Sequence, residues 1–399
     1  AWLMSLVAAA VQAAEAFPQQ RADSDLPTFA LEAAYTAEVW RNTQGGLRTG
    51  GTYLDKLDLI FDVDAERAWA VSGLRAHAHL MYGNGGRFSD RYVGDAMVVS
   101  NIDAPAAVRL YEVWAEWLSD APRPLSLRLG LYDLNSEFDM SDARLLFIHS
   151  SHGVGHELGQ TGENGPSIFP NTSLAVRAAW SPLKSWRFLA AVLDAVPGDP
   201  DDSSRTRIHL SRDEGALGIA EAQWFGGRVI KFSLGHWRYT APFADVLSTE
   251  AEPLPERRDN SGSYAAFEVA LGQVGAEAGR RSSAFVRYGV AEGRINEFDR
   301  FLGMGVRYKG VIAGRPDDEL GFALAHARVG GAARRIATAA GSPREAREAA
   351  IELTYRAAIN DRLTIQPDIQ YIFNPGADQA KSDSLVLGVR VELSAAASR

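Results

Sequence analysis

The feature that most constrains this chain is a repeated alternation of apolar and polar residues. It is plainest near the C-terminus, where one side carries Leu385, Leu387, Val389, Val391 and Leu393, and the other carries Gly388, Arg390 and Glu392. Successive side chains of a strand point to opposite faces. Each such strand therefore has one face suited to hydrocarbon and one suited to water, as the strands of a closed barrel in an outer membrane require.

The same pattern predicts about sixteen strands. We place them at 29–40, 57–63, 74–82, 111–117, 125–132, 173–180, 186–194, 216–225, 228–239, 263–272, 283–290, 300–309, 319–328, 347–358, 362–373 and 384–393. Short and long connections alternate, which is typical of short periplasmic turns and long extracellular loops. The predicted fold class is therefore all-β: a transmembrane antiparallel up-and-down β-barrel. Pro367 lies inside a predicted strand and suggests a bulge there.

Composition excludes several alternatives. The 399 residues contain no apolar run of about eighteen residues after the N-terminus, so no transmembrane helix is predicted. The net charge is -9 and no basic patch is present, so nucleic-acid binding is not expected. Cysteine is absent, which fits an oxidising compartment managed without disulfides, although many soluble proteins also lack cysteine.

The chain divides into a barrel and short flanking segments. Residues 1–16 resemble part of a secretory signal peptide that ends in the small-x-small site Ala14-Glu15-Ala16, although a short buried helix is the alternative. Residues 17–28 are expected to be a periplasmic leader, 29–393 the barrel, and 394–399 a C-terminal tail. Loop 133–171 is the longest connection, and we expect it to fold into the barrel and constrict it.

Sixteen strands leave an aqueous lumen, and its predicted wall carries charges of both signs. The candidate pore-lining residues are Asp58, Asp62, Trp69, Arg75, His77, His79, Glu112, Trp114, Glu116, Arg128, Tyr132, Asp133, Asn135, Glu137 and Arg177. Further along the chain, the alternation predicts that the following charged residues also face the lumen: Arg287, Arg307, Arg356, Arg390, Glu268, Glu352 and Asp368. Arginine and carboxylate groups bond adjacent sugar hydroxyls two at a time, and aromatic rings stack on a pyranose. The alternative is that these charges only hydrate the wall and pair with one another.

Metal and catalytic functions are less favoured. His77 and His79 share a strand face, and His149, His152 and His156 cluster in the long loop, but no cysteine joins them, so we predict neither a metal nor a cofactor. Glu112 and Glu116 are separated by about 13 Å along a strand, beyond the carboxylate spacing of a glycosidase. The chain is therefore not expected to be an enzyme.

Several stretches resemble one family in the same order along the chain. They are residues 50–55, 82–85, 91–95, 100–105, 130–138, 147–153, 164–170 and 196–200. They look like the carbohydrate-selective porins of the OprB type. The resemblance implies a sixteen-stranded outer-membrane porin for passive diffusion of glucose and other small sugars, with inward arginine and acidic residues around its eyelet.

The resemblance also implies partners and leaves alternatives open. Expected partners are small sugars, outer-membrane lipid and lipopolysaccharide, and the barrel assembly machinery, and a homo-trimer is possible. The chain departs from barrel proteins that end in an aromatic residue, because it ends in Ser398-Arg399. A nonselective diffusion porin and a structural or adhesive barrel are the two alternative functions.

Overall fold

The computed structural model describes residues 27–119, 123–226, 230–273 and 281–398. The predicted signal segment and all but the last two residues of the predicted leader lie outside these ranges. Across the described residues, every predicted strand is present. Most lie within a few residues of their expected limits, but the second strand begins at Gly50, seven residues before its expected start at residue 57.

Sixteen strands form in this part of the chain. Their bounds are β1 Phe29–Gln44, β2 Gly50–Asp64, β3 Leu74–Gly83, β4 Ala107–Leu118, β5 Leu125–Tyr132, β6 Ser173–Leu183, β7 Trp186–Asp194, β8 Ala216–Gly226, β9 Ile230–Tyr239, β10 Ser261–Gln273, β11 Arg281–Ala291, β12 Phe298–Lys309, β13 Glu319–Val329, β14 Arg347–Asn360, β15 Leu363–Phe373 and β16 Ser384–Ser398.

The strands form a closed antiparallel barrel in chain order. Each strand pairs with its neighbours in the sequence, and β1 pairs with β16 to close the sheet. Closure pairs both edges of the sheet, as hydrocarbon requires. The all-β up-and-down fold class is confirmed.

Two local predictions were wrong. The predicted tail is part of the last strand, since Ser394 to Ser398 pair with Ala34 to Ala30 of β1. The predicted bulge at Pro367 is absent, because the register between β14 and β15 is the same on either side of it and shifts only between Ala358 and Asn360. Proline lacks an amide donor and so removes one ladder bond without displacing the strand.

Short helices lie in the connections. The α-helices are α1 Ala65–Trp69, α2 His156–Gly159 and α3 Gly331–Ala339. One-turn 3₁₀ segments occupy Leu134–Ser136, Asp142–Leu146, Ser150–His152 and Pro375–Ala377, and a π-helical turn occupies Ser89–Val93. Among the described residues, none of the helices has the length and apolar character needed to cross a membrane.

The barrel is apolar outside and packed inside. Outward side chains such as Leu129 (62% exposed) and Val192 (60%) form an apolar outer surface, whereas the alternate positions are mostly buried. This arrangement reverses that of a water-soluble fold and fits a barrel surrounded by lipid tails.

Two apolar clusters fill much of the interior. One joins inward Trp40 and Phe301 to Phe88 and Met97 of loop 84–106. The other joins Tyr132 and Trp237 of the wall to Phe138 of loop 133–171. Both loops therefore fold into the barrel and reduce the space left for a path through it.

Candidate channel constriction

A cluster of arginines and carboxylates lies where loop 133–171 leaves β5. Arg177 on β6 contacts Glu116 on β4 (Nη2 to Oε1, 2.8 Å) and Glu137 in the loop (Nε to Oε2, 2.7 Å). Arg128 on β5 approaches the same two carboxylates at 3.3 and 3.4 Å. Arg187 on β7 reaches Glu137 at 2.6 Å. We call these five residues the arginine cluster.

The charges in the arginine cluster are closely paired. Tyr132 Oη also donates to Glu137, at 2.7 Å. Burial alone would raise the pKa of the Glu137 carboxyl, but Arg128, Arg177 and Arg187 outweigh it and lower that pKa to about 2. Glu137 is therefore ionised at neutral pH and holds three guanidinium groups at the start of the loop.

The indole of Trp114 lies beside the arginine cluster. The Arg128 guanidinium sits 3.7 Å from the centre of the indole ring. The His77 imidazole stacks on the same ring at 4.6 Å with an interplanar angle of 8°. Because two groups this close to the ring centre cannot share one face, Trp114 separates Arg128 from His77.

On the other side of Trp114 lies a histidine and carboxylate group. His77 Nδ1 is 2.7 Å from Asp62 Oδ1, and His79 Nε2 is 2.8 Å from Asp58 Oδ1. Glu112 is the direct cross-strand partner of His79. All five residues were predicted to line the lumen, and the structure brings them together on β2, β3 and β4.

A bulge in β4 shapes this group. The register between β3 and β4 shifts at His79 and Leu80, so that Tyr111 and Glu112 are both buried on the inner side. An unbroken alternation along β4 predicts that Tyr111 faces outward with Val113 and Trp117. The bulge overturns this prediction, because it inserts one residue and re-aims the side chains next to it. Tyr111 Oη donates to Asp133 Oδ2 at 2.6 Å.

The first residues of the long loop are fixed to the wall. The Asp133 backbone N–H donates to Glu112 Oε1 at 3.0 Å, and Asp133 Oδ1 accepts the Asn135 N–H at 2.8 Å. The Asn135 side chain donates to the Phe138 carbonyl at 3.1 Å. Asp133 and Asn135, both candidates from the sequence, thus order the turn that directs the loop inward.

Inward carboxylates on the opposite wall accept hydrogen bonds from the loop. Glu221 on β8 accepts the Asp139 N–H (2.8 Å), and Glu268 on β10 accepts the Ala143 N–H (2.9 Å). Glu352 on β14 accepts the N–H groups of Ile148 (2.7 Å) and His149 (3.2 Å). Since the loop starts at β5 and reaches β14, it crosses the barrel.

A fully buried ion network fixes the middle of the loop. Arg287 on β11 contacts Asp139 at 2.9 Å and Glu157 at 2.6 Å. Asp139 also pairs with Arg144 at 3.0 Å. Buried charges are tolerated only when they are paired and hydrogen-bonded in this way.

Loop 84–106 is held by a separate set of contacts. Glu348 accepts the N–H groups of Ala96 and Met97, each at 2.8 Å. Glu38 pairs with Arg390 at 2.5 Å and accepts the hydroxyl of Ser100 at 2.7 Å. The inward charges of β1, β14 and β16 therefore position this loop.

One predicted pore-lining residue lies outside the lumen. Trp69 is in α1, at the periplasmic turn between β2 and β3, and it is 64% exposed. Its ring packs edge-on against Phe29, which stacks on outward Phe61. The prediction was wrong because α1 interrupts the period of two. Arg75, by contrast, lies on β3 opposite Asp64 and Glu116, in the inward phase.

Three inward charged side chains were not among the predicted pore-lining residues: Arg187, Lys56 and Glu38. Arg187 lies on an alanine-rich strand, but Leu189, Ala191 and Leu193 share its inward phase and would have identified it. Lys56 Nζ lies 2.8 Å from Asp58 Oδ2, and it follows the inward phase of β2.

A polar vestibule of about 400 Å³ lies among the loops. Its lining includes His156 and Gln160 of loop 133–171 and Asn296 of the connection between β11 and β12. This space opens on the side of the long loops, above the constricted part of the barrel.

Comparison with known proteins gives one matching family. The sequence profile described as carbohydrate-selective porin, OprB family, matches residues 48–394. Porin B of Pseudomonas aeruginosa is 23% identical over 405 residues, which cover 91% of this chain and 86% of that protein.

Solved structures show the same fold. The high-pH structure of Pseudomonas putida OprB has a TM-score of 0.80 and 19% identity, covering 92% of this chain and 94% of the other. The low-pH structure of that protein has a TM-score of 0.59 and 17% identity, covering 92% and 93%. The Acinetobacter baumannii outer-membrane channel DcaP has a TM-score of 0.52 at 8% identity, covering 92% and 97%.

Proposed function

The chain belongs to the carbohydrate-selective porins of the OprB family, and from this premise we propose that the arginine cluster and Trp114 form its sugar-recognition segment. The protein is an outer-membrane channel for sugars and not an enzyme. We assign glucose and other small neutral sugars as the solutes that meet these residues.

The main support for this assignment is that the side chains of the arginine cluster form ion pairs and yet three of them remain partly exposed. The side chains of Arg128, Glu116 and Arg187 are 11, 16 and 20% exposed, whereas that of Arg177 is 1% exposed. Arg177 thus acts as the internal support, and the other three present donors and acceptors to the lumen. Charge-assisted bonds of this kind are the strong ones available to a hydroxyl.

The constriction carries charges of both signs, which favours a neutral solute. A channel that selects ions carries one sign in excess there. On one side of the Trp114 ring, three guanidinium groups pair with two carboxylates. On its other side, Asp58, Asp62 and Glu112 add negative charge. A sugar ring offers hydroxyls to the charged groups and C–H faces to the indole, so it satisfies both kinds of surface.

Loop 133–171 is proposed to set the width of the path. Its hydrogen bonds to Glu221, Glu268 and Glu352 hold it across the barrel, opposite the wall where it begins. A solute must then pass between the loop and the wall, next to the arginine cluster. The vestibule near Gln160 would be the approach from the extracellular side.

Single-channel recording tests the assignment. Glucose that binds at the arginine cluster interrupts ion current, so wild-type channels in a planar bilayer should show glucose-dependent block. Arg128→Met and Trp114→Ala should weaken that block about tenfold or more. Arg356→Met is the matched control, because Arg356 is also inward but pairs with Glu392 at 3.3 Å. Equal block in all four channels would reject the assignment, and absence of block would favour a nonselective pore.

The outer surface supports proposals about partners. Exposed apolar side chains such as Leu129 and Val192 favour contact with lipid and lipopolysaccharide chains. We propose that the chain assembles into a homo-trimer, which native mass spectrometry of detergent-extracted protein tests. We also propose that the barrel assembly machinery inserts it, which depletion of that machinery in cells tests.

A further inference from the structure

A candidate metal site in the channel wall consists of His77, His79 and Glu112. Each of these residues offers one ligand atom, and the three atoms lie within 4.8 Å of one another. The two histidines are two residues apart on β3, and Glu112 lies across from His79 on β4. We propose that they bind one divalent transition-metal ion, Zn²⁺ or Cu²⁺, from the lumen side.

His77 carries the clearest sign of a ligand. Its Nδ1 is occupied by Asp62 at 2.7 Å, while its Nε2 is buried and has no hydrogen-bond partner among the described residues. Nε2 instead faces Glu112 Oε2 at 4.0 Å. A carboxylate on one ring nitrogen fixes the tautomer and leaves a lone pair on the other, as in carboxylate–histidine–metal arrangements.

His79 has an equivalent supporting carboxylate. Its Nε2 is 2.8 Å from Asp58 Oδ1, so Nδ1 is the atom left to coordinate. The Tyr111 ring packs edge-on against His79 at 5.1 Å, and Trp114 stacks on His77. Both imidazoles are therefore held in place before any ion arrives, which lowers the ordering cost of binding.

The bulge in β4 supplies the third ligand. It turns Tyr111 and Glu112 inward together, so that Tyr111 supports His79 while Glu112 faces His77. Glu112 Oε1 accepts the Asp133 N–H at 3.0 Å, which directs Oε2 toward the histidines. The site is thereby joined to the first residue of loop 133–171.

Local charge favours a cation. Asp58, Asp62 and Glu112 surround the two imidazoles, and Lys56 bonds this group at Asp58. Arg128 is screened from the site by the Trp114 ring. Two imidazoles and one carboxylate suit Zn²⁺ and Cu²⁺, and the lumen side leaves a position for water or a passing solute.

Isothermal titration with ZnSO₄ tests the site. Chelator-treated full-length protein in detergent, without an affinity tag, should bind one Zn²⁺ per chain. The double variant with His77→Gln and His79→Gln should lose this binding, and Glu112→Gln and Asp62→Asn should each weaken it about 10- to 100-fold. His236→Gln is the control, because His236 faces outward and bonds Ser263 at 2.9 Å, so it should leave binding unchanged.

Electron paramagnetic resonance of bound Cu²⁺ is a second test, because it counts the coordinating nitrogens directly. Wild-type protein loaded with one Cu²⁺ should show hyperfine coupling to two nitrogens by electron paramagnetic resonance, and each single histidine variant should show coupling to one. Heat-modifiable mobility on gels reports whether each variant is folded. If the double variant fails to fold, Asp62→Asn still tests the site, because it retains all three proposed ligands. Zinc affinity equal in wild type and in the folded ligand variants, or a copper signal without nitrogen coupling, would overturn the proposal.

Discussion

The two sides of the barrel wall carry similar inward charges and use them differently. On β8, β10 and β14, Glu221, Glu268 and Glu352 accept hydrogen bonds from the backbone of loop 133–171. On β4 to β7, Glu116 pairs with Arg128, and both side chains stay partly exposed. An inward carboxylate therefore either supports a loop or lines the path, depending on whether the loop reaches it.

The largest expected effect comes from breaking the buried network of the supporting side. Arg287→Ala leaves Glu157 buried without its arginine and Asp139 with Arg144 alone, which costs about 3–5 kcal/mol. The middle of loop 133–171 should then detach from β11, and single-channel conductance should rise.

Arg356→Ala is the control for that prediction. Arg356 is an inward arginine whose partner Glu392 is partly exposed, so its loss should have little effect on loop order. Conductance of Arg287→Ala no higher than that of the control would show that the loop does not need this network.

A smaller effect is expected from Glu352→Gln. The amide keeps one acceptor oxygen for the Ile148 N–H but loses the second acceptor, which costs about 1–3 kcal/mol. Hydrogen exchange at residues 148 and 149 should accelerate, while Glu392→Gln should leave it unchanged. Unaltered exchange in both variants would contradict the supporting role of Glu352.

Acid should loosen the supported loop. Burial lowers the pKa of His149 to about 3 and that of His156 to about 4, from an ordinary value of 6.5. Below pH 6.5 only the released loop takes up these protons, so the folded loop loses stability as the pH falls toward 4. One such histidine favours release about thirtyfold at pH 5.

Hydrogen exchange of the loop as a function of pH measures this effect. His149→Leu removes one of the titrating groups, and both ring nitrogens of His149 lack hydrogen-bond partners among the described residues, so little bonding is lost. The variant should show a flatter pH dependence than wild type. An identical pH profile would indicate that His149 does not contribute.

The smallest effect is expected at Trp69, which the structure places outside the lumen beside Phe29. Trp69→Ala should leave sugar flux unchanged, whereas Trp114→Ala should reduce it. Liposome swelling with glucose compares the two variants directly, and an equal loss of flux would restore Trp69 to the path.

The sequence predicted the wall better than the loops. A period of two located every strand and gave the correct inward phase for His77, Glu116 and Arg128, because alternate burial is imposed by the lipid outside and the lumen inside. It failed where the period breaks: at Tyr111, where a bulge inserts a residue, and at Trp69, where a helical turn intervenes.

The division of roles among inward charges was not predictable from the sequence. Glu352 and Glu116 have the same phase, but Glu352 accepts hydrogen bonds from residues about two hundred positions away, and no periodicity connects those segments. Loop 133–171 has short 3₁₀ turns and a single α-helical turn, so its path depends on tertiary contacts with β8 to β15.

The most direct test is the ratio of glucose flux to the flux of a neutral amide of similar size in liposome swelling. Glu352→Gln should raise both fluxes and leave their ratio near the wild-type value, because it widens the path without touching the arginine cluster. Arg128→Met should lower the ratio, because it removes a donor to sugar hydroxyls. If both variants changed the ratio equally, or neither did, the two sides of the wall would not have the separate roles assigned to them.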